Sequence, residues 1–145
     1  MTLIQEELKW TKDLDIGVKS MDKEHLELIT RMSNLHRLNK MLKSKEEMTI
    51  AFNSLVSYTE DHFKEEEDFF KEIDYPDAEN HKKLHTNLLK KIHAYRDEFS
   101  KGVTGRIPSS VFDFFKMWLI SHIMVEDKKY ARYYLTGDEK TPPAE

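Results

Sequence analysis

Apolar residues recur every three to four positions along four stretches of the chain, the spacing of helices that each bury one face. The first stretch runs from about Met21 to Met41 and sets Leu28, Ile29, Met32 and Leu35 on one side. The second, from about Lys45 to Ile73, aligns Ala51, Leu55, Tyr58, Phe63, Phe69, Phe70 and Ile73. The third, from about Asp77 to Ser100, aligns Leu84, Leu88, Leu89, Ile92, Tyr95 and Phe99. The fourth, from about Ser109 to Leu135, carries Val111, Phe114, Phe115, Trp118 and Leu119.

The gaps between these stretches hold residues that start or stop helices. Ser44 followed by Glu47 is a capping-box pattern at the head of the second stretch. Pro76 can open a helix but not continue one, so it separates the second from the third. Residues 101–108 hold two of the four glycines and read as a loop, after which Ser109 or Ser110 can cap the fourth helix. Gly137, Pro142 and Pro143 end the pattern. Long helices joined by short loops make an all-α, antiparallel up-down-up-down four-helix bundle over residues 21–135. Residues 1–20 contain Trp10, Leu14, Ile16 and Val18, which are too apolar for a free tail, so an N-terminal arm packed on the bundle is expected. Residues 136–145 form a C-terminal tail.

Composition narrows the chemistry. The chain has 145 residues, which suits one domain. With 23 basic and 27 acidic residues it carries a net charge of −4, which argues against nucleic acid as the main partner. Four glycines and four prolines supply few tight turns, which argues against an all-β fold. The absence of cysteine excludes disulfides, thiolate metal sites and thiol nucleophiles. No basic start followed by an apolar run marks a leader, and no apolar run is long enough to span a membrane. The expectation is a soluble cytoplasmic protein.

The seven histidines then carry the interest. His81 and His85 are four apart, as are His62 and Glu66, so each pair leaves one helix face a turn apart, which is a metal-ligand spacing. His25 lies near the start of the first helix, His62 and Glu66 toward the end of the second, His81 and His85 at the start of the third, and His122 in the later half of the fourth. In an up-down-up-down bundle all of these fall at one end, and each lies on the apolar stripe of its helix. Buried imidazoles and carboxylates need compensating partners. A cluster of this composition suits metal ions held by nitrogen and oxygen, and its size suits two ions bridged by carboxylates. After His122, helical spacing favours Glu126 as a ligand, while Asp127 at five residues needs a different approach or a π-type irregularity. His36 shares a face with His25 but lies about 16 Å further along the axis, so it reads as a core or rim residue. His93 is off the face of His85 and reads as solvated.

No histidine has glutamate three positions before it, as the carboxylate-rich di-iron enzymes and ferritins do. Nor is there a His-Glu-x-x-His motif. The histidine-rich set points to binding rather than enzymatic oxygen activation.

The segments MDKEH ending at His25, HFKEE from His62 to Glu66, HKKLH from His81 to His85 and WLISHIMVED ending at Asp127 resemble the hemerythrin family, whose prokaryotic members are the nearest in pattern. The resemblance covers about Trp10 to Tyr130 and implies reversible dioxygen binding at a non-haem di-iron centre. It selects Asp127 over Glu126. Carried over, one iron takes His81, His85 and His122, and the other takes His25 and His62. Glu66 and Asp127 bridge them with an oxo or hydroxo group, and the second iron keeps an open position. Trp118, Leu119 and Phe63 match apolar pocket positions, and Tyr130 matches a supporting one. Beside the carrier or storage role, the family pattern admits sensing of oxygen, nitric oxide or iron through a partner in trans, and more remotely a di-iron oxidase or peroxidase.

Overall fold

The computed structural model describes residues 11–137. Among them there is no strand, and the chain folds as a bundle of four long helices. Helix α1 is Lys19–Lys40, α2 is Lys45–Glu72 and α3 is Ala78–Lys101. The fourth rod begins as α4, Ser109–Ser121, passes through a π-helical turn at His122–Asp127 and finishes as α5, Lys128–Thr136. The expected boundaries hold to within about two residues, apart from the π-helical interruption.

Local chemistry explains the ends. The Ser44 hydroxyl accepts from the Glu47 amide at 3.1 Å, which satisfies one orphan donor of α2. The expected cap of α4 is different. Pro108 takes the position before the helix and makes no side-chain bond, so Ser109 and Ser110 lie inside the first turn. Gly137 closes α5 with φ +78 while its amide donates to the Tyr133 carbonyl, a left-handed stop that suits glycine. The loop before α4 is pinned to α1. Asn39 donates to the Ile107 carbonyl at 3.0 Å and accepts from the Ile107 amide at 2.9 Å.

The apolar stripes meet as the spacing requires. Leu28, Ile29, Met32 and Leu35 of α1, Phe52, Leu55 and Phe70 of α2, Ile92 and Phe99 of α3, and Val111, Phe115 and Leu119 of α4 share one core. Of the expected arm, Leu14, Ile16 and Val18 are buried, while Trp10 lies outside the described residues. A 3₁₀ turn at Lys12–Leu14 lies against the π-helical segment. The Asp22 carboxylate accepts from the amides of Ile16 at 2.8 Å and Gly17 at 3.2 Å, which ties this stretch to the first turn of α1. Pro142 and Pro143 also lie outside the described residues. No helix among the described residues is long and apolar enough to cross a membrane.

Because the α2 cap is exposed and remote from the histidines, Ser44→Ala should cost about 1 kcal/mol in a denaturant titration. Its metal content, measured by elemental analysis, should not change.

Candidate metal centre

Five imidazoles and two carboxylates from all four rods converge at one end of the core. His25, His62, Glu66, His81, His85, His122 and Asp127 are all buried. They arrive by different local routes. The four-residue steps in α2 and α3 point His62 with Glu66, and His81 with His85, to the same side. In the fourth rod the π-helical turn makes a five-residue step equivalent to one turn, so His122 and Asp127 face the same way. Asp127 therefore lies inside the cluster, and Glu126 lines a surface cleft. Regular helical spacing favoured Glu126 because it assumes an uninterrupted α-helix.

The contacts describe two overlapping groups. Glu66, His81, His85, His122 and Asp127 form one, and His25, His62, Glu66 and Asp127 form the other. In each group one ligand-type atom per residue lies within 4.8 Å of all the others. Both carboxylates belong to both groups. Asp127 Oδ1 is 3.1 Å from His81 Nε2 and 3.1 Å from His122 Nε2, and Oδ2 is 3.0 Å from His25 Nε2. Glu66 Oε1 is 2.9 Å from His85 Nε2, and Oε2 is 3.4 Å from His62 Nε2.

The polar atoms of this cluster are not satisfied by one another. His25 Nδ1 and Nε2, Glu66 Oε1, His81 Nε2 and both Asp127 carboxylate oxygens are buried without a properly directed hydrogen bond. His122 Nε2 and His85 Nε2 face each other at 3.2 Å. Two neutral imidazole lone pairs so placed repel unless they share a proton or a cation. Unpaired buried acceptors are costly, and native cores rarely keep several together. Nitrogen and oxygen donors without thiolate suit iron, zinc, copper or manganese. Two groups that share two carboxylates suit a bridged pair of ions.

Outer contacts hold the rings. His62 Nδ1 is 2.8 Å from Glu24 Oε1, and His85 Nδ1 is 2.9 Å from Glu67 Oε2. A carboxylate on the far nitrogen fixes the tautomer and turns Nε2 inward. Sequence reading missed both glutamates. Glu67 flanks the inward Glu66, and its position facing α3 is visible only once α2 and α3 are packed. Tyr130 donates from its hydroxyl to Glu66 Oε2 at 2.8 Å. Burial and then the charges of Glu66 and Asp127 push the Tyr130 phenol well up, so it stays a donor.

Aromatic rings pack on the imidazoles. Phe63 stacks on His85, with centroids 3.8 Å apart and planes at 3°. Trp118 stacks on His122 at 4.3 Å and 13°. Together with Leu119, these two line an apolar cavity of about 20 Å³ in the bundle core. His36 is half-buried and stacks on Phe112 at 4.5 Å, away from the cluster. His93 is partly exposed beside Glu60, with Nε2 and Oε2 3.1 Å apart.

Comparison with known proteins agrees with this arrangement. The family model described as the hemerythrin HHE cation binding domain matches residues 16–134. A bacteriohemerythrin of Stenotrophomonas maltophilia is 30% identical over 124 residues, covering 86% of this chain and 79% of that one. A bacteriohemerythrin of Pseudomonas aeruginosa is 29% identical over 125 residues, covering 85% and 78%. A myohemerythrin of Theromyzon tessulatum is 28% identical over 127 residues, covering 88% and 93%.

The same contacts set a proton balance. Burial pushes His25 down, but the neighbouring carboxylates of Asp127 and Glu66 outweigh it and raise it to about 10. His81 is raised to about 9 by the same opposition. Both carboxylates are held well below their usual range, the imidazoles outweighing burial. In the chelated protein, the raised histidines contribute stability in full below about pH 6.5, and that contribution fades as pH rises through 9 to 10. A metal ion must displace their protons. Metal uptake at pH 7 should therefore release protons from His25 and His81, and affinity should climb with pH up to about 10. Calorimetry in buffers of different ionisation enthalpy counts these protons; no release at pH 7 would contradict the assignment.

Proposed function

This chain belongs to the hemerythrin family, and we propose that it binds dioxygen reversibly at a pair of irons, as a carrier or store rather than an enzyme. The observation that carries the reading is the asymmetry of the cluster. Three imidazoles serve one group and two serve the other, with Glu66 and Asp127 common to both. In this reading His81, His85 and His122 hold one iron, and His25 and His62 hold the second. With fewer imidazoles, the second would have room for an exogenous small molecule. When bound, the two ferrous ions supply the two electrons that make the capture of dioxygen reversible.

The residues around that position have separate tasks. Glu66 and Asp127 would be shared by the two ions, and each keeps its charge because the surrounding imidazoles hold it well below the usual carboxylate range. The Tyr130 hydroxyl binds Glu66 Oε2, which fixes the angle of that carboxylate. Glu24 and Glu67 orient His62 and His85 from outside.

The apolar cavity gives the ligand a place and denies it to water. At about 20 Å³ it is large enough for roughly one water-sized molecule. Its walls include Leu28, Leu55, Phe63, Trp118 and Leu119. Its one hydroxyl, that of Thr59, donates to the Leu55 carbonyl at 2.7 Å and so offers water little. A water needs two to four polar partners to stay in a cavity, whereas dioxygen needs none. The cavity wall includes Phe63 and Trp118, the rings stacked on His85 and His122, so it lies one aromatic layer from the cluster.

Iron-loaded protein should change its visible spectrum on exposure to air and recover under argon, with uptake of one dioxygen per two irons. Steady consumption of a reductant without a reversible spectrum would sink the reading. Asp127→Ala should lose most of the iron and the reversible spectrum, while Glu126→Ala should keep both; the reverse pattern in iron analysis would overturn the bridge assignment.

Shortening the cavity wall tests the role of dryness. Leu119→Ala should enlarge the cavity, admit water and speed conversion to the diferric state several-fold, followed optically in air-equilibrated buffer. An unchanged rate would mean the wall does not control water.

A further inference from the structure

The seven clustered side chains are not equally sealed. His122 keeps 6% of its surface, the most of any of them, while the others range from 0% to 2%. It forms part of the floor of an open cleft of about 610 Å³ on the outer face of the bundle, between α3 and the fourth rod. The cleft is apolar for the most part: Leu84, Phe114, Met117, Trp118 and Val125 line it, and one carboxylate, Glu126, lies among them. Met117 is 65% exposed and Val125 57%. Trp118, which reaches this surface, is also the ring stacked flat on His122.

Charge is arranged unevenly around the cleft. Helix α3 carries six basic residues against three acidic, Glu79, Asp97 and Glu98, which lie toward its ends, and the stretch from Lys82 to Arg96 has none of the acidic ones. Lys82, Lys83, Lys90 and Lys91 are exposed. Lys91 holds its ammonium 5.3 Å from the centre of the Phe114 ring, at the edge of the cleft. Helix α2 is the opposite, with nine acidic residues against three basic. An acidic body approaching this net-negative protein is repelled by α2 and attracted to α3.

We propose that the cleft over His122 is the docking port of a small acidic one-electron donor protein, which returns an oxidised centre to the ferrous state. The proposal rests on the di-iron reading above. A protein that captures dioxygen from the diferrous state stops working once both irons are ferric, so it needs a reductant. Each encounter passes one electron from the donor, through the His122 ring or the Trp118–His122 stack, to one ferric ion. The donor is oxidised by one electron, that ion becomes ferrous, and a second encounter restores the pair. The geometry fits a transient electron-transfer contact: a small apolar patch for close approach and a lysine-bearing flank for steering.

The test uses a reduced plant-type ferredoxin, an acidic one-electron carrier, as probe. Its rate of reduction of the diferric protein is followed by stopped-flow in three proteins: the unaltered chain, Lys83→Glu/Lys91→Glu, and the control Lys64→Glu/Lys71→Glu on α2. At low ionic strength the α3 variant should slow about tenfold or more relative to the α2 control, and the gap should close at high salt. In parallel, NMR titration of the metal-free chain with the oxidised ferredoxin should shift or broaden Leu84, Met117 and Val125. Equal rates in the two variants, or NMR changes confined to α2, would overturn the port. Reversible oxygen binding with equal rates leaves the oxygen reading standing. A chain that takes up no iron defeats that reading, and the NMR arm then decides separately whether an acidic protein docks in the cleft.

Discussion

Two carboxylates buried among five imidazoles set the terms for the whole molecule. In a low-dielectric interior a carboxylate without a cation or a full set of hydrogen bonds is strongly disfavoured. Glu66 and Asp127 have few directed hydrogen bonds of their own and a ring of Nε2 atoms at about 3 Å instead. The arrangement makes sense only around positive charge, supplied by protons or by metal ions. Everything nearby preserves it. Outer glutamates hold two of the rings, Tyr130 holds the Glu66 carboxylate, and flat aromatic contacts fix His85 and His122. The bundle supplies rigidity, because ligands on four packed rods cannot drift independently.

Much of this was legible in the sequence because two periodicities agree. Helical spacing identifies the buried face, and the chemistry-bearing residues fall on that face at one end of an up-and-down bundle. The group of His25, His62, Glu66, His81, His85 and His122 needs only that argument. Asp127 does not yield to it. Regular α-helical geometry favours Glu126, and only the resemblance to the hemerythrin family selected Asp127. The cause is a local change of helix type, which leaves no mark in a hydrophobic pattern that continues on both sides. Glu24 and Glu67 were invisible for another reason. They lie beside inward residues, and their partners belong to other helices or to the far side of a ring. The cap of α4 was misread because Ser109 and Ser110 are good capping residues, but Pro108, with φ fixed near −57°, takes the position before them.

The closed and open sides of the centre differ in kind. Toward the core, the rings stacked on His85 and His122 border a cavity whose walls are aliphatic and aromatic and whose only hydroxyl is already committed. A small apolar molecule can occupy such a space, and water gains nothing there. Toward the surface, His122 lies under an apolar cleft on the basic side of the molecule. The proposed binding of dioxygen and the proposed entry of electrons would use these two faces separately. Trp118 lines both spaces, so the two are separated by little more than one indole ring.

The π-helical turn links the two faces. It moves the chain five residues per hydrogen-bonded step rather than four, which brings His122 and Asp127 inward together. The residues between them must then go elsewhere. Ile123 is taken into the core, while Met124 and Val125 are pushed out and Glu126 comes to lie at the cleft. A regular helix here would have aimed Glu126 into the cluster and altered the rim outside. The single irregularity that brings the second carboxylate into the cluster therefore also shapes the apolar lip beside His122. Asp127 at the centre and the lip of the cleft at the surface depend on the same six residues, so a substitution that restores regular α-helix would disturb both together.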